Sequence, residues 1–192
     1  MTQEPNSITR LKKFYGDRLH VPDAEALHAE LLGGNDRSAV ITIASNADAA
    51  LEFKIAMSLP GLKEDATEKD FDVCFRHEGP LGTFSARIDM AFYLGLIDQT
   101  LREQLHDLRA MRNAVAHTRR RVTFDDVALQ NVAKRIFAPK GSFKLLNNDT
   151  DGIRRTFLAE GMFISNIIGD GRDEATRKLR ESYASKGMPH PF

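Results

Sequence analysis

Near its middle, the chain reads Arg109-Ala110-Met111-Arg112-Asn113-Ala114-Val115-Ala116-His117, close to the end of a long helical segment. Apolar residues of this segment recur at steps of four, three and seven, which places them on one helical face: Leu101, Leu105, Leu108 and Val115. The position that would complete the series holds Arg112. A guanidinium is costly to bury unless it is paired or serves a ligand. The stretch therefore predicts a core helix and marks Arg112 as either a tie between helices or a functional group.

The polar side chains near this helix end have the chemistry for cleaving a phosphodiester without a metal. His117 could accept the proton of a ribose 2′-hydroxyl, because imidazole titrates near neutral pH. Arg112 offers a planar fork of donors to a phosphorane, and Asn113 could orient the imidazole or donate to a phosphoryl oxygen. The candidate ligands for phosphate groups are Arg109, Arg119, Arg120 and Arg121.

Helical geometry limits how these groups can act together. On one helix, Arg112 and His117 point about 140° apart, given 3.6 residues per turn. They can face one substrate only at a frayed helix end or across a groove. Because a two-fold dimer would build such a groove, the composite site implies a homodimer.

Each of these residues also has a structural interpretation. Arg112 could be a buried arginine bonded to helix-end carbonyls and to Asp89 or Asp98. His117 could simply complement the negative end of the helix dipole. The three consecutive arginines could be a solvated end of the same helix. The sequence leaves both interpretations open.

Composition excludes several classes of protein. The chain has 192 residues, 27 basic and 27 acidic, so its zero net charge implies no broad attraction to nucleic acid. A single cysteine, Cys74, excludes an internal disulfide and fits a reducing compartment. No run approaches the roughly 18 apolar residues of a membrane span. We therefore expect a cytoplasmic protein that does not enter a membrane.

No cofactor or metal site is predicted. Cys74 and His77 have the spacing of one of the two ligand pairs of a zinc site, but no second pair of ligands follows them.

The turn around Gly95 and the helix that follows it resemble a helix-turn-helix in outline. That following helix is too long and too apolar on one face to read DNA, so we expect no specific DNA binding.

The pattern is helical almost throughout and predicts an all-α bundle of about seven or eight helices. Residues 1–34 are expected to form N-terminal helices, residues 35–170 the core of the bundle, and residues 171–192 a C-terminal helix and tail. Asp98 is expected to cap the central helix. Pro80 is expected at the first position of the helix before it.

Arg112-Asn113, followed after three residues by His117, resembles the motif of HEPN domains. These are small helical bundles, usually dimeric, many of which are metal-independent RNases or toxins. A longer set of stretches resembles the mannitol-operon-repressor family, a helical family with the same motif: Asn35-Asp36-Arg37-Ser38-Ala39-Val40, residues 79–89, residues 94–98 and residues 108–117. The resemblance covers about residues 35–123, roughly half of the chain. It implies a HEPN-like fold and a role in gene regulation.

Three functions are compatible with these observations. The first is a regulatory protein that acts through protein partners, as the repressor resemblance implies, and we favour it. The second is a metal-independent endoribonuclease that uses Arg112, Asn113 and His117, with RNA as its partner. The third is a scaffold in which the motif only holds helices together.

Overall fold

The computed structural model of the chain describes residues 31, 33–62, 67–76, 78–137 and 149–169. Every regular element in these ranges is helical, which confirms the all-α prediction. In chain order they are α1 (Asp36–Ser58), a short 3₁₀ turn (Pro60–Leu62), α2 (Glu68–Phe75), α3 (Phe84–Tyr93), α4 (Gln99–His117), α5 (Val127–Phe137) and α6 (Thr150–Gly169). The helices predicted within residues 1–30 and 171–192 lie outside the described residues.

The longest helix, α1, forms the centre of the bundle. It packs against α6, α4 and α3, while α4 also packs against α5 and α3, and α5 packs against α6. One continuous apolar cluster fills the space between them, with large fully buried side chains that include Phe124, Phe137, Phe157, Leu51, Ile88 and Leu108. Because α1 contacts three other helices, it buries residues along its whole length, and most of them recur at steps of three and four on one broad face: Ala39, Val40, Ile43, Ala44, Ala47, Leu51 and Ile55.

Helix ends follow the local chemistry of the sequence. The side chain of Asp98 accepts a hydrogen bond of 2.7 Å from the amide of Leu101, which confirms the predicted cap of α4. Gly95 ends the turn after α3 with a φ of +70°, a conformation that favours glycine. The side chain of Asn35 caps α1 by accepting from the amide of Ser38 at 2.9 Å.

The segment from Gly79 to Gly82 does not begin a helix, so the expectation for Pro80 was wrong. Helix α3 begins at Phe84 with Thr83 as its cap, and the preceding residues form a compact turn. The amide of Leu81 donates to the carbonyl of Cys74 at 2.9 Å, and the amide of Gly82 donates to the carbonyl of Gly79 at 3.0 Å. The turn therefore uses its own amides to lie tightly against the end of α2.

Because of this close approach, we expect Gly82→Ala to destabilise the protein by about 1–3 kcal/mol, the usual cost of overpacking. A Cβ atom at position 82 would overlap the backbone carbonyl of Arg76, which cannot move aside as a side chain can. Gly61→Ala is the matched control, since a Cβ there meets nothing within 4 Å. Urea denaturation of both variants measures the difference, and equal stabilities would contradict the expectation.

Candidate functional site

Helix α4 carries the motif, and its buried face includes Leu105, Leu108 and Val115 of the predicted apolar series, but not position 112. The buried residues of α4 are Gln104, Leu105, Leu108, Met111 and Val115. Met111, which is only 3% exposed, completes the apolar stripe, and Arg112 lies half-buried at its edge. The expectation that Arg112 replaces a core leucine was therefore wrong. Its guanidinium is not placed in the apolar core.

Arg112 makes few contacts in the described part of the chain. Its single hydrogen bond there joins Nη1 to Oδ1 of Asn113 at 3.5 Å, the long limit of such a bond. The two carboxylates proposed as structural partners are used elsewhere. Asp98 caps α4, and Asp89 accepts hydrogen bonds from Arg102 at 2.6 Å and 2.9 Å. The predicted tie from Arg112 to these groups is not formed.

His117 is the last residue of α4 and is exposed, and its side chain forms no hydrogen bond with any described residue. Arg112 and Asn113 touch each other, but His117 lies five residues further along the helix. At 3.6 residues per turn this spacing directs Arg112 and His117 about 140° apart. One copy of the chain therefore presents the two groups in different directions.

The three consecutive arginines lie beyond α4 and do not end it, contrary to expectation. The helix ends at His117, the next residue, Thr118, is extended, and the side chains of Arg119, Arg120 and Arg121 are exposed. This segment is held by the start of α1. Nη1 of Arg37 donates to the carbonyl of Thr118 at 2.8 Å, and Nη2 donates to the carbonyl of Arg120 at 2.6 Å.

A second tie from α1 fixes the same segment. Oδ2 of Asp36 accepts a hydrogen bond from the amide of Phe124 at 2.8 Å, and Oδ1 pairs with Nε of Arg154 at 2.7 Å. Between the two ties lies a cleft of about 390 Å³ lined by Asn35, Asp36, Arg37, Arg121, Val122 and Thr123. The stretch from Asn35 to Val40, which resembles the repressor family, lies at the start of α1. Its polar side chains Asp36 and Arg37 hold the chain that follows the motif in place.

Sequence reasoning missed a second polar cluster, which joins α3 to α4. Oδ1 of Asp89 receives both hydrogen bonds from Arg102 and lies 3.2 Å from Nε2 of His106. The hydrogen bond from Arg102 holds the pKa of the Asp89 carboxyl below its usual value, and the one with His106 acts in the same direction. The guanidinium carbon of Arg102 also lies 4.7 Å from the ring centre of Phe92. The sequence feature that could have predicted this cluster is the placement of Asp89 and Arg102 on the two helices that flank the turn at Gly95.

Arg109 has an unusual environment. Its Nε is shielded from solvent and has no hydrogen-bond partner in the described residues. The side chain as a whole is half-buried on the same flank of α4 as Arg102. Arg109 is therefore a cation that the described part of the fold leaves unneutralised.

The described residues contain no group of three or more His, Cys, Asp or Glu side chains that could hold a metal ion. In the same ranges, no helix combines the length and the apolar character that crossing a membrane requires.

Because Arg112 has no strong partner, we expect both Arg112→Met and Arg112→Lys to keep the stability of the wild type within about 0.5 kcal/mol. Methionine retains much of the side-chain stem and lysine retains the charge. Urea denaturation of the two variants measures this. A loss of about 1–3 kcal/mol in both would show that Arg112 bonds groups that are left unpaired without it.

Comparison with known proteins supports the fold of this chain. No family model matches the sequence, and no curated protein matches it. Among solved structures, a chain in the X-ray structure of the MtlR–HPr complex from Escherichia coli is similar, with a TM-score of 0.62 and 18% identity. The match covers 76% of this chain and 97% of that chain. At this identity the likeness shows a shared, mannitol-repressor-like fold.

Proposed function

We propose that this chain is a regulatory helical protein that acts by binding a protein partner. The observation that carries the proposal is the likeness of the fold to a chain solved within a protein–protein complex, that of MtlR with HPr. The match extends over 97% of that chain, so the shared part is nearly the whole of the neighbour. A domain of this architecture is thus used to engage another protein.

The packing of α4 favours a protein partner over DNA. In a helix-turn-helix, the second helix must lay one face in the major groove. Here the helix that follows the Gly95 turn, α4, is packed against α1, α3 and α5. The zero net charge of the chain also provides no broad attraction to the phosphate backbone.

The proposal is tested by crosslinking the tagged chain in cells and then titrating each captured protein as a pure component, with Escherichia coli HPr included. We expect at least one saturable, stoichiometric complex with a Kd in the micromolar range or below. The proposal fails if no purified protein binds, or if the chain binds a specific duplex DNA at about 150 mM salt in the presence of competitor DNA.

A metal-independent endoribonuclease is the second candidate, and one observation favours it. The side chains of Arg112, Asn113 and His117 are all accessible to solvent, and none makes a strong hydrogen bond to the described residues. Catalytic hydrogen bonds are often long in a free enzyme and tighten only when the substrate is bound. Because Arg112 and His117 diverge on one helix, we propose that such activity requires a homodimer in which the two groups come from different copies.

If the chain cleaves RNA, we expect the cleavage to persist in EDTA and to leave a 2′,3′-cyclic phosphate. His117→Ala should abolish it, because the general base is removed. His106→Ala is the matched control, since His106 contacts Asp89 and lies 11 residues before His117, about 16 Å along α4. Cleavage that stops with EDTA, cleavage that survives His117→Ala, or a monomer by light scattering would exclude this mechanism.

A further inference from the structure

The charges on the surface of α4 are segregated into two flanks. Acidic residues Glu103 and Asp107 lie on one flank. The opposite flank carries Arg102, His106, Arg109, Arg112 and Asn113, a row that we call the basic flank. From Arg102 to Asn113 this row is about 16 Å long, given a rise of 1.5 Å per residue.

Several arginines of the described fold are paired with carboxylates. Arg135 pairs with Asp107, Arg154 with Asp36, and Arg87 with Asp48. On the basic flank, Arg102 pairs with Asp89. Arg109 and Arg112 are the arginines of this flank without a carboxylate partner among the described residues.

Within the described residues, no carboxylate forms an ion pair with Arg109 or Arg112, nor with the exposed arginines that follow the helix. A chain of zero net charge therefore concentrates uncompensated positive charge along one helix flank and its continuation.

An exposed apolar site adjoins the beginning of the basic flank. Tyr93 is 73% exposed and Leu94 is 39% exposed, although both are large apolar side chains. The guanidinium carbon of Arg102 lies 5.6 Å from the ring centre of Tyr93, and its Nη2 donates a hydrogen bond to Asp89. Tyrosine and arginine are enriched at the centres of protein interfaces, and here they are already held in place.

We infer that the basic flank, with Tyr93 and Leu94 at its end, is the docking surface for an acidic segment of a protein partner that carries an apolar side chain at one end. The inference rests on the proposed function and specifies where the partner binds and with what chemistry. Aspartate and glutamate of the segment pair with Arg109 and Arg112. The apolar side chain packs on Tyr93 and Leu94.

The same observations disfavour two other occupants. A second copy docked here by two-fold symmetry would bring the arginines of the two flanks together, which is repulsive. RNA would find cations along the row, but the exposed aliphatic side chain of Leu94 suits an apolar residue better than a base. A protein segment uses both the charged and the apolar part of the surface.

The test uses the full chain and three fluorescent probes of about 16 units: a glutamate-rich peptide with one leucine near its end, the same peptide with glutamine for glutamate, and a uridine oligonucleotide. We expect the glutamate peptide to bind at low salt, the glutamine peptide to bind at least tenfold more weakly, and the affinity of the former to fall as salt rises. Amide chemical-shift changes should map to α4 and to Tyr93 and Leu94.

Two double variants separate the basic flank from charge in general. Arg109→Gln with Arg112→Gln should weaken binding of the glutamate peptide at least tenfold. Arg135→Gln with Arg155→Gln removes the same charge from other helices and should change the affinity for the glutamate peptide less than twofold.

The apolar part of the surface is tested by Tyr93→Ser. This variant should weaken binding of the leucine-containing peptide, but not of a version with serine in place of leucine. Circular dichroism confirms that each variant is folded.

The inference is overturned if the glutamate peptide does not bind at up to 1 mM, if both double variants weaken it equally, or if the oligonucleotide binds more tightly and is lost in the Arg109 and Arg112 variant. Its failure is distinguishable from that of the proposed function. A purified partner that binds the Arg109 and Arg112 variant with unchanged affinity overturns the docking surface alone and leaves the regulatory proposal standing.

Discussion

Replacing Arg87 by methionine is expected to lower the free energy of unfolding by about 3–5 kcal/mol, the cost of removing one partner from a buried ionic network. Arg87 is 8% exposed on α3. Its Nη1 lies 2.7 Å from Oδ1 of Asp48, and its Nη2 lies 2.8 Å from Oε2 of Glu52. Without the guanidinium, Asp48 and Glu52 on α1 would lose the cation that they share.

The same guanidinium also holds the end of α2. Its Nη2 donates to the carbonyl of Phe75 at 3.1 Å, and its guanidinium carbon lies 5.8 Å from the ring centre of that residue. One side chain thus connects α1, α2 and α3. The expected loss lies toward the lower end of the range, because Asp48 and Glu52 keep 24% and 19% of their side-chain surface in contact with water.

Two further variants identify the cause of the loss. Arg135→Met removes an arginine whose side chain is 65% exposed and paired with Asp107, and it should cost less than about 1 kcal/mol. Adding Asp48→Asn to Arg87→Met should recover at least about 1 kcal/mol, because one of the uncompensated charges is gone. If urea denaturation shows no recovery, lost packing rather than charge is the cause, and the ionic explanation is wrong.

Asp36→Ala is expected to lower the free energy of unfolding by about 2–4 kcal/mol, since it leaves a half-buried cation and a backbone amide without their acceptor. Asp36 joins three parts of the chain: it begins α1, accepts from the amide of Phe124, and pairs with Arg154 on α6. Arg154 is fixed in turn by the carbonyl of Gly34 at 3.0 Å.

Asp151→Ala is the matched control for this change. Asp151 also lies in the first turn of a helix and pairs with an arginine, but the side chains of Asp151 and Arg155 are 74% and 58% exposed. We expect it to cost less than about 1 kcal/mol. Amide hydrogen exchange should become faster at residues 118–124 in Asp36→Ala only. Equal effects of the two substitutions would show that a general helix-end charge effect, and not the tie to Phe124, is being measured.

Much of the fold follows from local patterns. The periodicity of apolar residues predicts helices wherever the structure describes a long one, and Asp98 and Gly95 mark helix ends because capping and positive φ depend only on nearby residues. The residue types at the motif were also evident from the sequence. Whether Arg112, Asn113 and His117 act in catalysis stays a prediction.

The tertiary structure decided which side chains are paired and which are not. Positions 111 and 112 are adjacent at the border of the apolar stripe, and the three helices packed around α4 place Met111, not Arg112, in the core. The partners of Arg87 and Asp36 are 39 and 118 residues away, so no local pattern predicts them. Charge pairing depends on which helices become neighbours. For that reason, the sequence alone does not show that Arg109 and Arg112 lack a carboxylate partner among the described residues. The tertiary structure shows it, because it places the neighbouring carboxylates beside other arginines.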